Sequence, residues 1–368
     1  MYDYISDQSR RRITDKIDGK RQQQVEAAVE HIIEFAKTPT ELKKDLDRFI
    51  IGQEKGKKIM ATAIAFHYRR LGHSLKEALA HNGKDIEEAL RQTRTPKANI
   101  LLIGPTGCGK TYTAETASSF IGVPFVVEDL TKFSETGYVG QNTSDILVDL
   151  LVAAGGNPQV AQMGIVYLDE LDKIAGEAAS YRDVSGRGVQ KGLLKLVEGV
   201  ENTVDMGKER LALSTKHVLF IAGGVFEKLD AVVQKRMNLH GFTGEWRDHL
   251  LTEDLVVFGM ERQLMGRFPV RVSYDMLTTQ NLMDILTQSE DSPLQAYIHD
   301  FKTWGIELEF TEEALKVVAL KSQQERTGAR GLISILHRVL GEDMFRMPGT
   351  HTGRLEVDDS YVRLRLLQ

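Results

Sequence analysis

The 368-residue sequence contains one cysteine, Cys108. A single cysteine excludes an internal disulfide and any zinc cage built from several cysteines. The ten histidines form no H-E-x-x-H pattern and none lies near the cysteine, so we interpret them as surface or core residues rather than metal ligands. This cysteine usage is typical of a reducing compartment.

Long apolar runs are also missing. No run approaches the ~20 residues that a membrane-spanning helix needs, and residues 1–4 lack the apolar core of a signal peptide. The formal net charge is −5 with both signs interspersed, so the overall basic field that is typical of a nucleic-acid-binding protein is absent. We therefore expect a cytoplasmic protein with neither a membrane nor a nucleic acid as its partner.

What the sequence does contain is a phosphate-binding loop. Residues 104–111 read Gly-Pro-Thr-Gly-Cys-Gly-Lys-Thr, a full match to G-x-x-x-x-G-K-[ST], between an apolar run and a helix-like segment. In such a loop Lys110 reaches the β- and γ-phosphates and the Thr111 hydroxyl holds Mg²⁺. The nucleotide-binding residues predicted here are Pro105, Thr106, Gly107, Cys108, Gly109, Lys110, Thr111 and Tyr112.

Two adjacent carboxylates follow another apolar run, residues 165–168. Asp169 would hold Mg²⁺, and Glu170 would orient and deprotonate the water that attacks the γ-phosphate. The alternative is that both carboxylates only cap the next helix. Their pairing with the loop at 104–111 favours the catalytic interpretation.

Short apolar runs alternate with helical segments from residue 98 to about 274, which predicts an α/β domain with a parallel sheet covered by helices. The predicted strands are 99–103, 125–127, 165–168, 217–221 and 270–272. Residues 75–97 resemble an insertion outside the core. Residues 176–188 and 201–214 are predicted to be irregular.

Three regions follow from this pattern. We predict an N-terminal helical extension at 1–40, a large nucleotide-binding domain at 41–274 and a small, mainly helical α+β domain at 275–368. Thr38-Pro39-Thr40-Glu41 has the pattern of a helix capping box with proline at the first helical position.

Four motifs then occur in the order that is found in AAA+ P-loop ATPases. They are the phosphate loop, the Asp-Glu strand, Gly-Arg-Phe-Pro from residue 266 and Gly-Ala-Arg-Gly from residue 328. Within that class the chain resembles the ClpX unfoldases from about residue 40 onward. The further stretches that carry the resemblance are 49–53, 137–140, 182–186 and 327–332.

The resemblance implies a function. Members of this family form homo-hexamers that use ATP and Mg²⁺ to pull polypeptide substrates through an axial pore. The alternative is an ATP-dependent remodeller that separates a specific protein complex without an associated ClpP peptidase.

Position by position, the resemblance also implies roles in the nucleotide site. Ile50 and Ile51 match the pair that packs on adenine, although their apolarity also fits ordinary core residues. Arg267 matches the arginine that acts on the nucleotide of the neighbouring subunit, and Arg330 matches the second-sensor arginine.

The pore residues are implied in the same way. Tyr138 and Val139, flanked by glycines, match the loop that grips polypeptide in the channel. Arg182 and Arg187 match the second pore loop. Arg187 stands where the family has glutamate, and Gln141-Asn142 stand where it has an acidic pair, so the channel would be shifted towards positive charge.

Three other features depart from the family pattern or from its usual residues. The sequence lacks the cysteines of the family's N-terminal zinc domain, and His240-Gly241-Phe242 stands where an apolar tripeptide docks the ClpP peptidase. Loss of an apolar anchor leaves two alternatives, no peptidase or an altered one. Cys108 occupies an unconstrained loop position. It is either a tolerated small residue or, near a helix N-terminus, an oxidisable thiol with a lowered pKa.

Overall fold

The computed structural model describes residues 19–81, 85–94, 96–133, 142–176, 184–205, 210–237 and 246–367. Up to residue 273 the elements in chain order are α1 (19–34), α2 (Pro39–Asp47), α3 (Glu54–His81), α4 (Ile86–Gln92), β1 (Ile100–Ile103), α5 (Lys110–Ile121), β2 (Phe125–Asp129), α6 (Asp145–Ala153), α7 (Pro158–Ala161), β3 (Ile165–Asp169), α8 (Val184–Glu198), β4 (Glu201–Asp205), β5 (Arg210–Ser214), β6 (Leu219–Gly224), α9 (Leu229–Arg236), α10 (Thr252–Phe258), α11 (Arg262–Met265) and β7 (Val270–Ser273). The remaining elements are α12 (Thr279–Thr287), α13 (Pro293–Thr303), β8 (Ile306–Phe310), α14 (Glu312–Gln324), α15 (Ala329–Arg346), β9 (Gly353–Val357) and α16 (Asp359–Leu367).

The central sheet has five parallel strands in the order β2-β3-β6-β1-β7. Each of the five predicted strands is present, with ends that shift by one to three residues. Because the carboxyl ends of parallel strands lie at one edge, the loop after β1 and the carboxylates at the end of β3 face the same side. The sheet therefore brings two motifs together that are about 60 residues apart in the chain.

Helices cover both faces of this sheet. Alternate residues of each strand enter opposite cores: Ile100 and Leu102 pack on one face, and Leu101 and Ile103 on the other. The parallel, fully buried strand β1 explains why its sequence is continuously apolar rather than alternating. The predicted fold class, an α/β domain followed by a smaller, mainly helical domain, is confirmed.

Helix α1 packs against the first of these cores. Val25, Val29 and Ile32 are buried there, and the imidazole Nε2 of His31 lies 2.7 Å from the carbonyl oxygen of Ile121 at the end of α5. The predicted capping box is confirmed: the Thr38 hydroxyl accepts from the amide of Glu41, whose carboxylate accepts from the amide of Thr38.

Two predictions about irregular or peripheral segments are wrong. Residues 201–205 and 210–214 form the antiparallel pair β4–β5, because Val204 and Leu213 find a buried place in the second core. The segment 75–97 is not outside the core, since Leu75 and Leu90 are buried with the first. In addition, α8 begins at Val184, so the end of the predicted irregular stretch 176–188 is helical.

The small domain has its own core. Helices α12 to α16 surround residues such as Leu282, Leu336 and Val357, and the parallel pair β8–β9 closes one side. The predicted strand at 305–310 and the predicted helices at 279–286, 312–321 and 331–345 are present, whereas α13, β9 and α16 were not predicted.

Candidate functional site

The phosphate loop lies between β1 and α5, as predicted. Gly107 and Gly109 have φ angles of 73° and 94°, which glycine adopts without the cost that other residues incur. The ammonium group of Lys110 is buried against its own loop and donates to the carbonyl oxygens of Gly104 (2.7 Å) and Pro105 (2.9 Å). The lysine is thereby held at the centre of the loop.

Thr111 and Asp169 meet at the base of this loop. The threonine hydroxyl donates to Asp169 Oδ2 at 3.1 Å, which joins the first turn of α5 to the end of β3. Glu170 follows in the left-handed region, with φ 57° and ψ 38°, a conformation that is costly for glutamate. Its amide donates to Asp169 Oδ1 at 2.9 Å. Glu170 has no side-chain bond to the following 3₁₀ turn, so the structure does not support the capping alternative.

These groups line a cavity of about 940 Å³ between the two domains. Its walls include Thr106 to Tyr112, Asp169 and Glu170 from the large domain, and Arg330 from the small one. Ile50 and Ile51 line it as well, although Ile50 is also almost completely buried. Pro105 is not part of the lining and contributes its carbonyl to Lys110 instead.

Arg267 lies apart from this cavity. Its side chain is 51% exposed and donates to Glu198 Oε1 at 2.7 Å. Its carbonyl oxygen accepts from the buried amide of Asn99 at 2.9 Å. Of the residues predicted for the nucleotide site, all but Pro105 and Arg267 line the cavity, and Arg267 lies elsewhere on the surface.

The predicted pore residues are only partly within the described residues. Tyr138, Val139 and Arg182 lie outside them, as do Gln141 and residues 240–242 of the candidate peptidase-docking tripeptide. Arg187 is described and lies exposed in the first turn of α8.

Contacts between the domains beside the cavity were not predicted. Arg48 makes a two-pronged ion pair with Glu290 (2.6 and 2.7 Å), and the Tyr112 hydroxyl donates to Asp291 at 2.8 Å. The Gln53 side chain bonds the main chain of Asp275 twice: its Nε2 donates to the carbonyl oxygen at 2.8 Å, and its Oε1 accepts from the amide at 2.9 Å. No sequence pattern connects residues that far apart, so only the fold could reveal these pairs.

The thiol of Cys108 is buried under the loop. It is 3% exposed, and burial raises the pKa of the thiol. The proximity of Lys110 acts in the opposite direction but is the smaller effect. The suggestion of a lowered pKa is therefore wrong, and the structure favours a tolerated small residue.

Gly223, which lies in β6 next to β3, has a packing reason for lacking a side chain. A Cβ at Gly223 would lie 2.0 Å from the hydroxyl oxygen of Tyr167 on the neighbouring strand. Tyr167 is fully buried, so its ring occupies the space that a side chain on β6 would need.

Among the described residues, no helix is both long and apolar enough to cross a bilayer. Groups of three or more His, Cys, Asp or Glu residues that could hold a metal ion are likewise not found among these residues.

Comparison with known proteins agrees with this geometry. Residues 95–271 match the model for an AAA domain (Cdc48 subfamily), and residues 277–359 match the C-terminal, D2-small domain of ClpB protein. The parallel sheet carries the phosphate loop after β1 and the Asp-Glu pair at the end of β3, and such a small domain follows it. This combination defines an AAA+ ATPase.

Curated relatives show which family of AAA+ ATPases the chain belongs to. An ATP-dependent Clp protease ATP-binding subunit ClpX from Borrelia duttonii is 40% identical over an alignment of 334 residues that covers 85% of this chain and 75% of the relative. ClpX 3 from Methylococcus capsulatus is 39% identical over 349 residues (88% and 79%), and ClpX from Azotobacter vinelandii is 38% identical over 335 residues (85% and 74%). The chain belongs to the ClpX family of AAA+ proteins, and it is an ATPase.

Proposed function

We propose that this protein is an ATP-dependent unfoldase and translocase that works as a ring hexamer and pulls polypeptides through an axial pore. The observation that carries the proposal is the convergence of the Lys110 loop, the Thr111–Asp169 contact and Arg330 on one cavity between the domains. ATP hydrolysis at that position acts on the angle between the two domains, because both contact the same ligand.

The residues present fit Mg-ATP. Buried Lys110 donates to two carbonyl oxygens of its own loop. The left-handed glycines put no side chain on the loop backbone, so phosphate oxygens can approach that backbone closely. The Thr111 hydroxyl and Asp169 carboxylate are oxygen ligands of the type that Mg²⁺ prefers. When bound, the metal and the phosphates supply the electrophilic centre of phosphoryl transfer.

The chain's own groups then have distinct roles. Glu170 orients and deprotonates the attacking water, while Ile50, Ile51 and Tyr112 lie in the cavity wall where the base and ribose would be held. Arg330 contacts the nucleotide from the small domain. Gly223 has no side chain, because Tyr167 occupies the space that one would need, so this position contributes no side-chain hydrogen bond to the nucleotide.

Arg267 is proposed to act on the nucleotide of a neighbouring subunit. Its exposure and its absence from the residues that line the protomer's own cavity support that role. A cation supplied in this way is worth about 10³–10⁵ in rate in finger-dependent enzymes. Tyr138 and Val139, with Arg182 and Arg187, are proposed to contact the moving polypeptide.

The names of the curated relatives support a link to a protease, but for this chain a ClpP-type partner is not assumed. His240-Gly241-Phe242 replaces an apolar anchor with histidine, which weakens a hydrophobic contact. The second candidate function therefore remains a remodeller of a specific complex that works without a peptidase.

A Glu170→Gln variant tests the proposal. It keeps the groups proposed to bind Mg-ATP but lacks the base, so it should form ATP-dependent hexamers that retain polypeptide substrates in a pull-down. Light scattering in saturating ATP measures the assembly. A protein that stays monomeric under these conditions contradicts the hexamer and the trans role of Arg267.

A Tyr138→Ala variant separates the two candidate functions. Threading predicts that its ATPase persists while unfolding of captured substrates is lost. Retention of remodelling in this variant would favour the second function.

A further inference from the structure

Arg267 is fixed at its backbone. Its amide donates to the carbonyl of Leu264 at 2.9 Å, and its own carbonyl accepts from Asn99 Nδ2 at 2.9 Å. Asn99 is 1% exposed, and its Oδ1 accepts from the amide of Phe220 on β6 at 3.1 Å. One buried amide therefore joins the arginine's main chain to the centre of the sheet.

The side chain of Arg267 is held by a different element. Its Nη2 donates to Oε1 of Glu198, the last residue of α8. A guanidinium has five N–H donors in a planar fork. A contact made through one nitrogen orients the fork without occupying all of its donors, and the side chain is half exposed.

The same helix is anchored at its other half by Gln190. This fully buried amide donates through Nε2 to the carbonyls of Ile174 (2.8 Å) and Gly259 (3.3 Å), and its Oε1 accepts from the amide of Glu261 at 2.7 Å. Ile174 ends the 3₁₀ turn that directly follows Glu170. Residues 259–261 lead into α11, which ends two residues before Arg267.

Helix α8 thus contacts both catalytic regions. It is 15 residues long, about 22 Å at the α-helical rise. Its Gln190 contacts the segment after Glu170, and its C-terminal Glu198 contacts Arg267. Packed helices move as rigid bodies between discrete positions rather than deforming continuously.

We propose that Glu198 is a positioning residue for Arg267, and that α8 links the position of this arginine to the segment that follows Glu170 in the same protomer. The proposal rests on the trans role of Arg267 given above. It makes each protomer's own active site a determinant of how its arginine is presented to the neighbour. The opposite interpretation, that Glu198 holds Arg267 inactive, predicts that removing the Glu198 carboxylate raises kcat rather than lowering it.

The test compares Glu198→Ala and Glu198→Gln with Glu253→Ala. Glu253 forms an ion pair with Arg262 at 2.6 Å, and this pair is also on the surface, with 54% and 61% of the side chains exposed against 36% and 51% for Glu198 and Arg267. Glu253→Ala controls for the loss of a carboxylate that is ion-paired to a surface arginine near α11. We expect Glu198→Ala to lower kcat for ATP by at least about threefold, and by less than the ~10³-fold loss expected for Arg267→Ala.

The Michaelis constant for ATP and the melting temperature should stay at wild-type values in all three variants. Glu198→Gln keeps one hydrogen bond and should lose less activity than Glu198→Ala. An unchanged or increased kcat in Glu198→Ala overturns the proposal, and an increase would identify the ion pair as inhibitory.

Rings that mix two variants distinguish a role of Glu198 through Arg267 from a structural defect, because a structural defect would not be relieved by a neighbouring protomer. Glu170→Gln protomers cannot hydrolyse ATP but keep an intact Arg267, so adding them should raise the activity of Glu198→Ala and of Arg267→Ala protein above the sum of the separate activities. If only Arg267→Ala is restored, Glu198 does not act through Arg267 and the inference is wrong. If neither is restored, the trans role itself fails and the inference falls with it.

Discussion

The amide of Ala329 donates a 2.9 Å hydrogen bond to the carbonyl oxygen of Gly107, so the small domain contacts the phosphate loop directly, backbone to backbone. The approach is close enough to exclude side chains. A Cβ at Gly107 would lie 2.1 Å from the carbonyl oxygen of Thr327, and one at Gly328 would lie 2.5 Å from the carbonyl oxygen of Gly107. The position of Arg330, one residue further along α15, depends on this contact.

Gly328→Ala should therefore weaken nucleotide binding. Gly328 has φ 57° and ψ −146°, a region that alanine occupies only at a cost of roughly 1–3 kcal/mol, and its methyl group would force the domains apart. We expect at least about a fivefold loss of ATP affinity, measured with a fluorescent ATP analogue. Gly341→Ala, inside the helix α15 that Gly328 precedes and with no atom near its Cβ, is the control and should bind ATP normally while gaining stability.

Gly223→Ala should destabilise the large domain by roughly 1–3 kcal/mol, because its methyl group collides with the Tyr167 hydroxyl. Removing that hydroxyl in Tyr167→Phe should recover part of the loss. Recovery will be incomplete, because the ring carbon Cζ would still lie 2.8 Å from the new methyl group. Urea unfolding of both single variants and the double variant measures the coupling. Additive effects would show that the two residues do not compete for this space.

Two buried histidines make stability depend on pH. Nε2 of His67 lies 3.1 Å from the carbonyl oxygen of His217, and Nε2 of His217 lies 2.8 Å from that of Leu90. Burial lowers the pKa of His67 to about 3 and the pKa of His217 to about 4. Both therefore stay neutral in the folded chain where the unfolded chain binds protons.

The direction in which stability changes with pH follows from these pKa values. Between about pH 4 and 6.5 the unfolded state binds more protons, so the free energy of unfolding falls as pH falls, by at most about 1.4 kcal/mol per pH unit for each histidine. His67→Gln keeps an N–H donor but does not titrate, and should reduce this slope between pH 5 and 6.5. Denaturant unfolding at several pH values measures it. An unchanged slope in the variant would show that His67 is protonated when folded.

Cys108 should react slowly in the folded protein. Its thiol is 3% exposed and burial raises its pKa, so little thiolate is present at neutral pH. We expect alkylation by iodoacetamide at pH 7.5 to be at least about tenfold slower than in the urea-unfolded chain, and Cys108→Ser to keep its ATPase. Rapid alkylation with parallel loss of ATPase would restore the interpretation of a redox-sensitive loop.

Part of the site was readable from the sequence because its signals are local. The spacing of glycines, Lys110 and Thr111 within eight residues specifies a loop, and the apolar run before Asp169 specifies a buried strand. The prediction for residues 201–214 is wrong because the signals there are not local. The alternation of apolar and polar residues is short, and the strands β4 and β5 are stabilised by packing on a core whose other residues are distant in sequence.

The sequence by itself determined the alternation of strands and helices, the phosphate loop and the carboxylates at the end of β3, since hydrophobic period and turn chemistry depend on neighbouring residues. Tertiary structure alone decided the strand order and the contacts of Gly107 with Ala329, Tyr167 with Gly223 and Glu198 with Arg267. These partners lie between 56 and 222 residues apart, counted along the printed sequence. At such separations packing of the whole domain, and no local preference, decides which atoms meet.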